Sequence, residues 1–593
     1  MFDLGLQKYN IYKTFRPYQE ETIKKIIDFV YNSPKRFLFI QAPTGSGKSI
    51  VGYVASQYLT KESFFLKKKI EEGRNNDSEL EKYSNSIKNI FMLTSKNLLL
   101  DQYYRDFNKY MPVLKGRAHY VCSLDKKPCS EGICLMKRTA SEMSCYKACP
   151  FQEAKFKFLN FPVSATNFSL LLKLLRREKF PTKDMVIVDE CQAFESVLRD
   201  EYVVTVSSKT TEIVNGLKEE MRSYSGHEIV NRAAGKYEEK GGTFKKLNLE
   251  KVDPDCLVDI NDFLKVLLKD EKALFDSLSG SLNEYVKEEY LEDIEGAIKK
   301  EKEIKEIVKK CDFLSKAIGN IENYFFLKDS VEWVSQAHFS VDGSVGGFEI
   351  KPVTIEKLTE SLFQRLAKKK VIMMSATIGD PLRFAKSLGI KETNFEFIDI
   401  PSTFPIENRP FVKLPVCSMK YSEMEKNLPK IAEACDDILD MFPEQNGIIH
   451  SVSFKNAFYL KNHMRNSKRI LIHDQKNKEL ILENFKNAKN KVLVSPSLIE
   501  GFDFKGKQSE FQIFIKVPYL SLSDKVVKRR LELDEEWYVN CAILQILQGV
   551  GRSVRSEKDV ATTFCLDNNI NFLLHKYKHL FTKDFLNTIV KVE

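Results

Sequence analysis

The chain has 593 residues, too many for a single hydrophobic core, and this length predicts three to four domains of roughly 150 residues each. Hydrophobic residues make up 43% and charged residues 29%, a balance that favours globular domains over a fibrous or membrane-spanning protein. The net charge of +10 suits a polyanionic partner such as nucleic acid. Without a signal-peptide pattern or a bilayer-length apolar run, we expect a cytoplasmic protein, nucleoid-associated in a bacterium or nuclear in a eukaryote.

Near the start of the chain, an apolar run from Phe37 to Ile40 leads into the sequence APTGSGKS at residues 42–49, and a helical pattern follows. This order indicates a phosphate-binding loop, in which glycines let backbone N–H groups face phosphates at a helix N-terminus. Lys48 is predicted to reach the β- and γ-phosphates and Ser49 to hold Mg²⁺; the alternative is a chance glycine-rich turn. The residues assigned to nucleotide binding here are Thr44, Gly45, Ser46, Gly47, Lys48 and Ser49.

Two features follow before the middle of the chain. Residues 67–86 are polar and lack periodicity, so they predict a solvated loop ahead of a strand at residues 89–95. A further buried strand, at residues 184–190, ends in Asp189 and Glu190. Because the same chain carries a phosphate loop, Asp189 is expected to hold Mg²⁺ and Glu190 to polarise the attacking water. The alternative is a pair of surface acids.

Five of the 12 cysteines fall within one short stretch between these two strands. In an intracellular chain this clustering favours a metal site over disulfides. Four thiolates suit a 4Fe–4S cluster and also suit structural zinc, and the fifth cysteine is then spare. The candidate ligands are Cys122, Cys129, Cys134, Cys145 and Cys149.

The second half of the chain begins with long charged stretches of helical spacing between residues 203 and 360, which predict a mostly helical insertion. The strand signal returns at residues 369–377, and a second alternation of strands and helices follows. Its strands are predicted at residues 446–452, 469–474, 491–497, 511–517 and 560–567. The sequence therefore predicts an α/β protein with two parallel-sheet domains.

Near the C-terminal end, Gln548, Arg552 and Arg555 have the spacing Q-x-x-G-R-x-x-R. Two arginines one helical turn apart can both point from the second domain to a γ-phosphate, where they supply positive charge as the phosphoryl group leaves. The alternative is an ordinary basic helix face.

The order of these motifs resembles that of superfamily 2 helicases of the XPD/DinG group across nearly the whole chain. The similar segments are RPYQ (16–19), DECQ (189–192, the DEAH box), SAT (375–377, motif III), EGFD (500–503, motif V) and QGVGRSVR (548–555, motif VI). The resemblance implies that Arg16, Gln19 and Asp503 serve the nucleotide site. It also implies that Gln548 helps to place the attacking water, while Ser375 and Thr377 couple hydrolysis to domain movement. Gln192 stands where the family usually has His, so the role of that His as a link to motif III is not carried over.

The same family has an inserted iron–sulfur domain at the position of the cysteine stretch. The segment CPF at residues 149–151 resembles the family's C-P-aromatic ligand segment. The resemblance makes Cys122 and Cys149 the firmest ligands and Cys134 the next. Cys129 and Cys145 stay as alternatives for the remaining position.

The resemblance implies two RecA-like motor domains with iron–sulfur and helical arch-like insertions. The expected boundaries are 1–114, 159–202 and 361–384 for motor 1, 115–158 for the iron–sulfur domain, 203–360 for the arch and 385–593 for motor 2. The implied activity is ATP-dependent unwinding of DNA in the 5′ to 3′ direction. The resemblance implies a monomer that binds single-stranded and forked DNA. The implied cofactors are ATP, Mg²⁺ and a 4Fe–4S cluster. Candidate DNA contacts, each equally consistent with packing, are Arg117, His119, Tyr120 and Asn167.

Two other functions fit parts of the pattern. One is an RNA-directed or non-unwinding translocase, and the other is a non-catalytic nucleic-acid clamp. The presence of Lys48, Glu190 and Arg552 together favours a working motor over the clamp. Because the phosphate loop begins near residue 42, we expect no N-terminal nuclease domain of the DinG kind.

Overall fold

The structure is a computed structural model of the chain. The residues that it describes are 5–73, 76–95, 97–123, 126–131, 148–177, 180–207, 261, 264–265, 268–269, 272–274, 276–277, 294–339, 345–473, 477–496, 504 and 506–590. Within these ranges lie two seven-stranded parallel sheets and one three-stranded antiparallel sheet, so the predicted pair of parallel-sheet α/β domains is confirmed. Among the helices in these ranges, none has the length and apolar character needed to cross a membrane.

The first part of the chain alternates helices and strands. Its elements are α1 (Gln19–Asn32), β1 (Phe37–Gln41), α2 (Lys48–Glu71), α3 (Asp77–Asn85), β2 (Ile90–Thr94), α4 (Asn97–Phe107), β3 (Val113–Leu114), α5 (Pro150–Asn160), β4 (Val163–Asn167), α6 (Phe168–Arg177), β5 (Lys183–Asp189) and α7 (Phe194–Glu201).

The predicted loop at residues 67–86 was wrong, because this segment forms the end of α2 and all of α3. Asn76 caps α3 by accepting a hydrogen bond from the backbone N–H of Glu79 at 2.9 Å. Lys69 then joins α2 to α3 through an ion pair with Glu79 at 2.7 Å. Caps and ion pairs support these exposed helices without the apolar stripe that periodicity detects.

The insertion contains β6 (Val204–Ser207), α8 (Ile294–Leu327), β7 (Trp333–Phe339) and β8 (Val345–Pro352), and α9 (Glu356–Leu366) follows it. The three strands form an antiparallel sheet in the order β6-β8-β7, which the sequence pattern did not predict, whereas the 34-residue α8 agrees with the expected helical character. The strand signal is weak because β8 contains Gly346 and Gly347, which have low strand propensity. Most of residues 208–293 lie outside the described residues.

The first sheet is completed by β9 (Ala367–Ser375) and β10 (Phe395–Asp399), which are separated by α10 (Pro381–Ser387). Its order is β10-β1-β9-β5-β2-β4-β3. Because β10 pairs in parallel with β1, this sheet continues beyond the expected motor boundary at residue 384. Successive residues of β1 enter two cores, with Phe37 and Phe39 on one face and Leu38 and Ile40 on the other. Burial of both faces explains the nearly continuous apolar runs.

The second parallel sheet has the order β13-β14-β12-β15-β16-β11-β17. Its elements are β11 (Phe411–Cys417), α11 (Met424–Met441), β12 (Gly447–His450), α12 (Phe454–His463), β13 (Ile470–Ile472), α13 (Lys478–Asn487), β14 (Val492–Ser495), β15 (Phe511–Phe514), α14 (Lys525–Leu533), α15 (Glu535–Val550), β16 (Thr562–Asp567), α16 (Asn569–Lys576), α17 (Lys583–Asn587) and β17 (Ile589–Val590). We keep the names motor 1 and motor 2 for the domains built on the first and the second parallel sheet. Ion pairs join the two domains, since Arg530 pairs with Glu195 and Arg383 lies 3.2 Å from Asp534.

Candidate functional site

A cavity of about 860 Å³ lies between the two motors. The carboxyl ends of β1 and β5 open into it, which is where parallel α/β sheets usually bind ligands. Motor 2 closes the other side with residues 547–555. The sequence-predicted residues that line this cavity are Arg16, Gln19, Thr44, Gly45, Gly47, Lys48, Ser49, Asp189, Glu190, Gln548, Arg552 and Arg555.

The phosphate loop turns sharply between β1 and α2. Gly45 and Gly47 have φ angles of 80° and 79°, a region that disfavours side chains, and α2 begins at Lys48. The Lys48 ammonium donates to the carbonyl oxygen of Ala42 at 3.1 Å. The Ser46 hydroxyl is buried and has no hydrogen-bond partner among the described residues. A lysine, a helix N-terminus and an unpaired buried hydroxyl form a donor set that fits a nucleotide phosphate.

Arg16, which precedes α1, and Gln19, the first residue of α1, brace this loop. The side-chain amide of Gln19 donates to the Ser46 carbonyl oxygen at 2.9 Å, and its oxygen accepts from the backbone N–H of Arg16 at 2.8 Å. The Arg16 guanidinium donates to the Gly45 carbonyl oxygen. Both residues therefore hold the backbone of the phosphate loop.

Ser49 and Asp189 form the candidate Mg²⁺ site. The Ser49 hydroxyl donates to Asp189 Oδ2 at 2.9 Å, and the backbone N–H of Glu190 donates to Oδ1 at 2.9 Å. Burial, followed by the charge of Glu190, raises the pKa of Asp189. A serine oxygen next to a carboxylate oxygen is a donor set that fits a hard cation such as Mg²⁺.

Sequence reasoning missed Tyr103, whose hydroxyl also donates to Asp189 Oδ2, at 2.5 Å. Burial, with the charge of Asp189 next in size, raises the pKa of Tyr103 well above its usual range. The residue lies on the apolar face of α4, where a tyrosine is ordinarily a core residue. No sequence signal marks its partner, which is 86 residues away.

Gln192 lies between the DECQ acids and motif III. Its amide N–H donates to Glu190 Oε2 at 2.7 Å, and its oxygen accepts from the Ser375 hydroxyl at 2.5 Å. The same Ser375 oxygen accepts from the backbone N–H of Thr377 at 3.0 Å. Gln548 of motor 2 then donates to the Thr377 hydroxyl at 3.1 Å. A continuous series of hydrogen bonds thus leads from Glu190 across the cleft.

Arg552 and Arg555 do not share a helix, because α15 ends at Val550; Arg552 lies in the turn that follows and Arg555 in the irregular segment after it. The prediction of one helical turn between them was wrong, because the helix stops at Val550 and Gly551 follows it as the C-cap. Both arginines still line the cavity. Motor 2 approaches the phosphate loop closely, because a Cβ on Gly45 would lie 2.6 Å from the Arg555 carbonyl oxygen.

The cysteine stretch is described in part. Cys122 and Cys129 are buried at 4% exposure each, and Cys149 precedes α5 and packs against the same core. The backbone N–H of Cys122 donates to the Lys127 carbonyl oxygen at 2.7 Å, and the Ser123 hydroxyl donates to the carbonyl oxygen of Ala148 at 3.4 Å. Among the described residues, no group of three metal-ligating side chains is present. The predicted residues Cys134, Cys145 and Asp503 lie outside the described residues.

The candidate DNA contacts differ in their surroundings. Tyr120 is partly buried, and its hydroxyl accepts from the backbone N–H of Lys115 at 3.1 Å. The Arg117 guanidinium lies 5.0 Å from the ring centre of Phe151, while His119 is exposed. Asn167 ends β4 on the surface. Its amide donates to the side-chain oxygen of Asn97 at 2.6 Å.

Comparison with known proteins gives consistent matches. Residues 448–588 match the helicase C-terminal domain family, and residues 12–222 match the type III restriction enzyme res subunit family. The ATP-dependent DNA helicase YoaA of Haemophilus influenzae is 22% identical over 97% of this chain and 94% of its own length. A solved XPD helicase superposes with a TM-score of 0.58 at 15% identity, covering 98% of this chain and 100% of its own. Xpd4 of S. tokodaii gives 0.56 at 14% identity, covering 98% and 100%.

Proposed function

We infer that this chain, an XPD/DinG-like superfamily 2 helicase, hydrolyses ATP in order to unwind DNA. The observation that carries the inference is the single cavity in which the phosphate loop and acids of motor 1 face Gln548, Arg552 and Arg555 of motor 2. Acids, a phosphate-binding lysine and arginines from a second domain are the parts that nucleoside triphosphate hydrolysis at a domain interface needs. A clamp without catalysis needs none of the acids.

We assign the steps of hydrolysis to residues of this cavity. Lys48 binds the β- and γ-phosphates, and Ser49 and Asp189 hold Mg²⁺, which neutralises charge on the phosphate oxygens when bound. Glu190 polarises the attacking water, which Gln548 helps to orient. Arg552 and Arg555 stabilise the charge that develops as the phosphoryl group leaves. Asp503 serves the same nucleotide by resemblance.

ATP binding draws the motors together and hydrolysis releases them, so a single strand held across both motors moves stepwise. Two contacts already cross the cleft: Thr44 donates to the Gly551 carbonyl oxygen at 3.3 Å, and Gln548 donates to Thr377 at 3.1 Å. Both halves of the site belong to one chain, which favours a working monomer. By resemblance, the substrate is forked DNA and movement is 5′ to 3′, with Asn167 as a contact to the bound strand.

A strand-displacement assay tests this function. The substrates are duplexes with a 5′ or a 3′ single-stranded tail, each made in DNA and in RNA. ATP-dependent release of the 5′-tailed DNA strand is the expected result. Preference for RNA, or ATP hydrolysis without strand release, would instead identify the RNA-directed or non-unwinding translocase. A chain that binds the tail but does not hydrolyse ATP would be a clamp.

We also propose that the cysteine stretch holds a 4Fe–4S cluster, with zinc as the alternative. Three described thiols support this site, because Cys122 and Cys129 are 4% exposed each and Cys149 packs against the same apolar core. With Cys134 as the fourth ligand, Cys145 becomes the spare residue. Iron content and visible absorbance of anaerobically purified protein distinguish iron from zinc.

A further inference from the structure

A buried phenol touches the acid that we assign to Mg²⁺. The Tyr103 side chain is 0% exposed, and its hydroxyl lies 2.5 Å from Asp189 Oδ2. Tyr103 belongs to α4, which follows β2. The phosphate loop follows β1, and the DECQ segment follows β5. None of the motifs that point to ATP hydrolysis includes this residue.

From the described residues, the Asp189 carboxylate receives three hydrogen bonds. The backbone N–H of Glu190 donates to Oδ1, whereas the hydroxyls of Ser49 and Tyr103 both donate to Oδ2. If Ser49 holds Mg²⁺ as assigned, its oxygen would offer a lone pair to the ion, and its hydroxyl would no longer be needed by Asp189. Of Ser49 and Tyr103, only Tyr103 would then continue to donate a hydrogen bond to the Asp189 carboxylate.

The ring of Tyr103 is fixed by its surroundings. Its edge packs on Phe107 at a centroid distance of 5.6 Å, and Phe107 is stacked on Tyr53 at 4.4 Å. A buried hydroxyl that leaves its acceptor loses a hydrogen bond that water cannot replace, so the phenol stays on Asp189. The donor is therefore in place before the ion arrives.

We propose that Tyr103 is a positioning residue for Mg²⁺, which holds Asp189 in the orientation that binds the ion together with Ser49. The proposal rests on the proposed ATPase function and adds a residue from α4 to it. Groups that orient a metal ligand through a hydrogen bond commonly contribute about 10-fold to 100-fold in metal affinity or activity.

Tyr103→Phe tests the proposal in the full-length chain, since it removes one oxygen and keeps the ring. The matched control is Tyr53→Phe, which removes a hydroxyl from the same aromatic cluster without touching Asp189. The first measurement is the affinity for a fluorescent ADP analogue with Mg²⁺ and with EDTA. The second is the Mg²⁺ concentration that gives half-maximal ATP hydrolysis. Thermal unfolding is recorded for all three proteins.

We expect Tyr103→Phe to reduce the Mg²⁺-dependent gain in ADP affinity by about tenfold and to raise the half-maximal Mg²⁺ concentration to the same extent. Affinity in EDTA and turnover at saturating Mg²⁺ should change little, and Tyr53→Phe should match the wild type. Two results would overturn the proposal and leave Tyr103 a core residue. One is the same Mg²⁺ dependence in both variants, and the other is a Tyr103→Phe chain that does not fold while Tyr53→Phe does. Failure of the wild type to bind ADP contradicts the ATPase function instead.

Discussion

The side-chain amide of Gln192 donates a hydrogen bond to the carboxylate of Glu190 at 2.7 Å. The same side chain accepts from Ser375, so one neutral residue contacts both the acid assigned to water activation and motif III. Helicases of the XPD/DinG group, which the sequence resembles, usually have His at this position. An amide donates and accepts at every pH, whereas an imidazole does both only while it is neutral and loses its acceptor nitrogen on protonation.

The first prediction is that Gln192→Ala lowers DNA-stimulated ATP turnover by roughly 10-fold or more, since it removes a hydrogen bond to a charged group. Gln192→His should retain activity but gain a dependence on pH around the ordinary histidine pKa of about 6.5. Turnover measured from about pH 6 to 8 separates the two variants. Equal turnover in the wild type and Gln192→Ala would show that the hydrogen bonds of Gln192 do not support Glu190.

Lys48→Ala is expected to abolish ATP hydrolysis and unwinding while single-strand binding persists, because Lys48 lines the cavity that we assign to the nucleotide. Turnover and DNA affinity by fluorescence anisotropy are the measurements. Lys67→Ala, on an exposed part of the same helix, is the matched control and should behave like the wild type. Normal turnover in Lys48→Ala would remove the basis for the motor assignment.

Much of the first sheet and its site was predictable, because local sequence determines both. Gly45 and Gly47 are needed at positive φ, and strands buried on both faces must be apolar along their length. Tyr103 was not predictable, since its hydrogen bond to Asp189 at the end of β5 depends on how α4 packs over β2, β3 and β4. The helix at Asp77–Asn85 was missed because an Asn76 cap and ion pairs stabilise it in place of an apolar face.

Arg552→Ala should lower turnover by about 10³-fold with little loss of ATP affinity, as expected for an arginine that acts in the transition state. Arg552→Lys keeps the charge but loses the planar fork, so it should recover only part of the rate. Lys558→Ala, at an exposed position in the same segment, is the control. Single-turnover hydrolysis measures the effect on the rate, and nucleotide binding measures the effect on ATP affinity. A normal kcat in Arg552→Ala would place this arginine outside the reaction.

The buried side chain of His450 leads us to expect that motor 2 loses stability at acidic pH. Burial lowers the pKa of His450 to about 4, although Nε2 lies 3.1 Å from the Gln512 side-chain oxygen. The unfolded chain binds the proton at higher pH, so stability is complete above about pH 6.5 and falls as pH drops toward 4. The loss should be about 2 kcal/mol near pH 5. His450→Gln should flatten this part of the unfolding curve, and an unchanged slope would contradict the assignment.

The last prediction concerns the cysteine stretch. Protein purified without oxygen should be brown and contain about four irons per chain, because four thiolates meet the needs of one cubane cluster. Replacing Cys122 or Cys149 should remove the iron and, with it, strand separation. ATP hydrolysis should partly survive, since the phosphate loop and Arg552 lie outside this stretch.

Cys129→Ser and Cys145→Ser then identify the spare cysteine. Cys129 is 4% exposed and belongs to the same apolar cluster as Cys122, so it has the shielded surroundings that a cluster ligand needs. We therefore expect Cys129→Ser to lose iron and Cys145→Ser to keep it. Because both variants replace one thiol by a hydroxyl, a difference in iron content reports ligation and not the loss of a thiol as such. The reverse result would make Cys145 the ligand. Stoichiometric zinc without iron in the anaerobic protein would overturn the assignment of an iron–sulfur cluster while leaving the motor assignment intact.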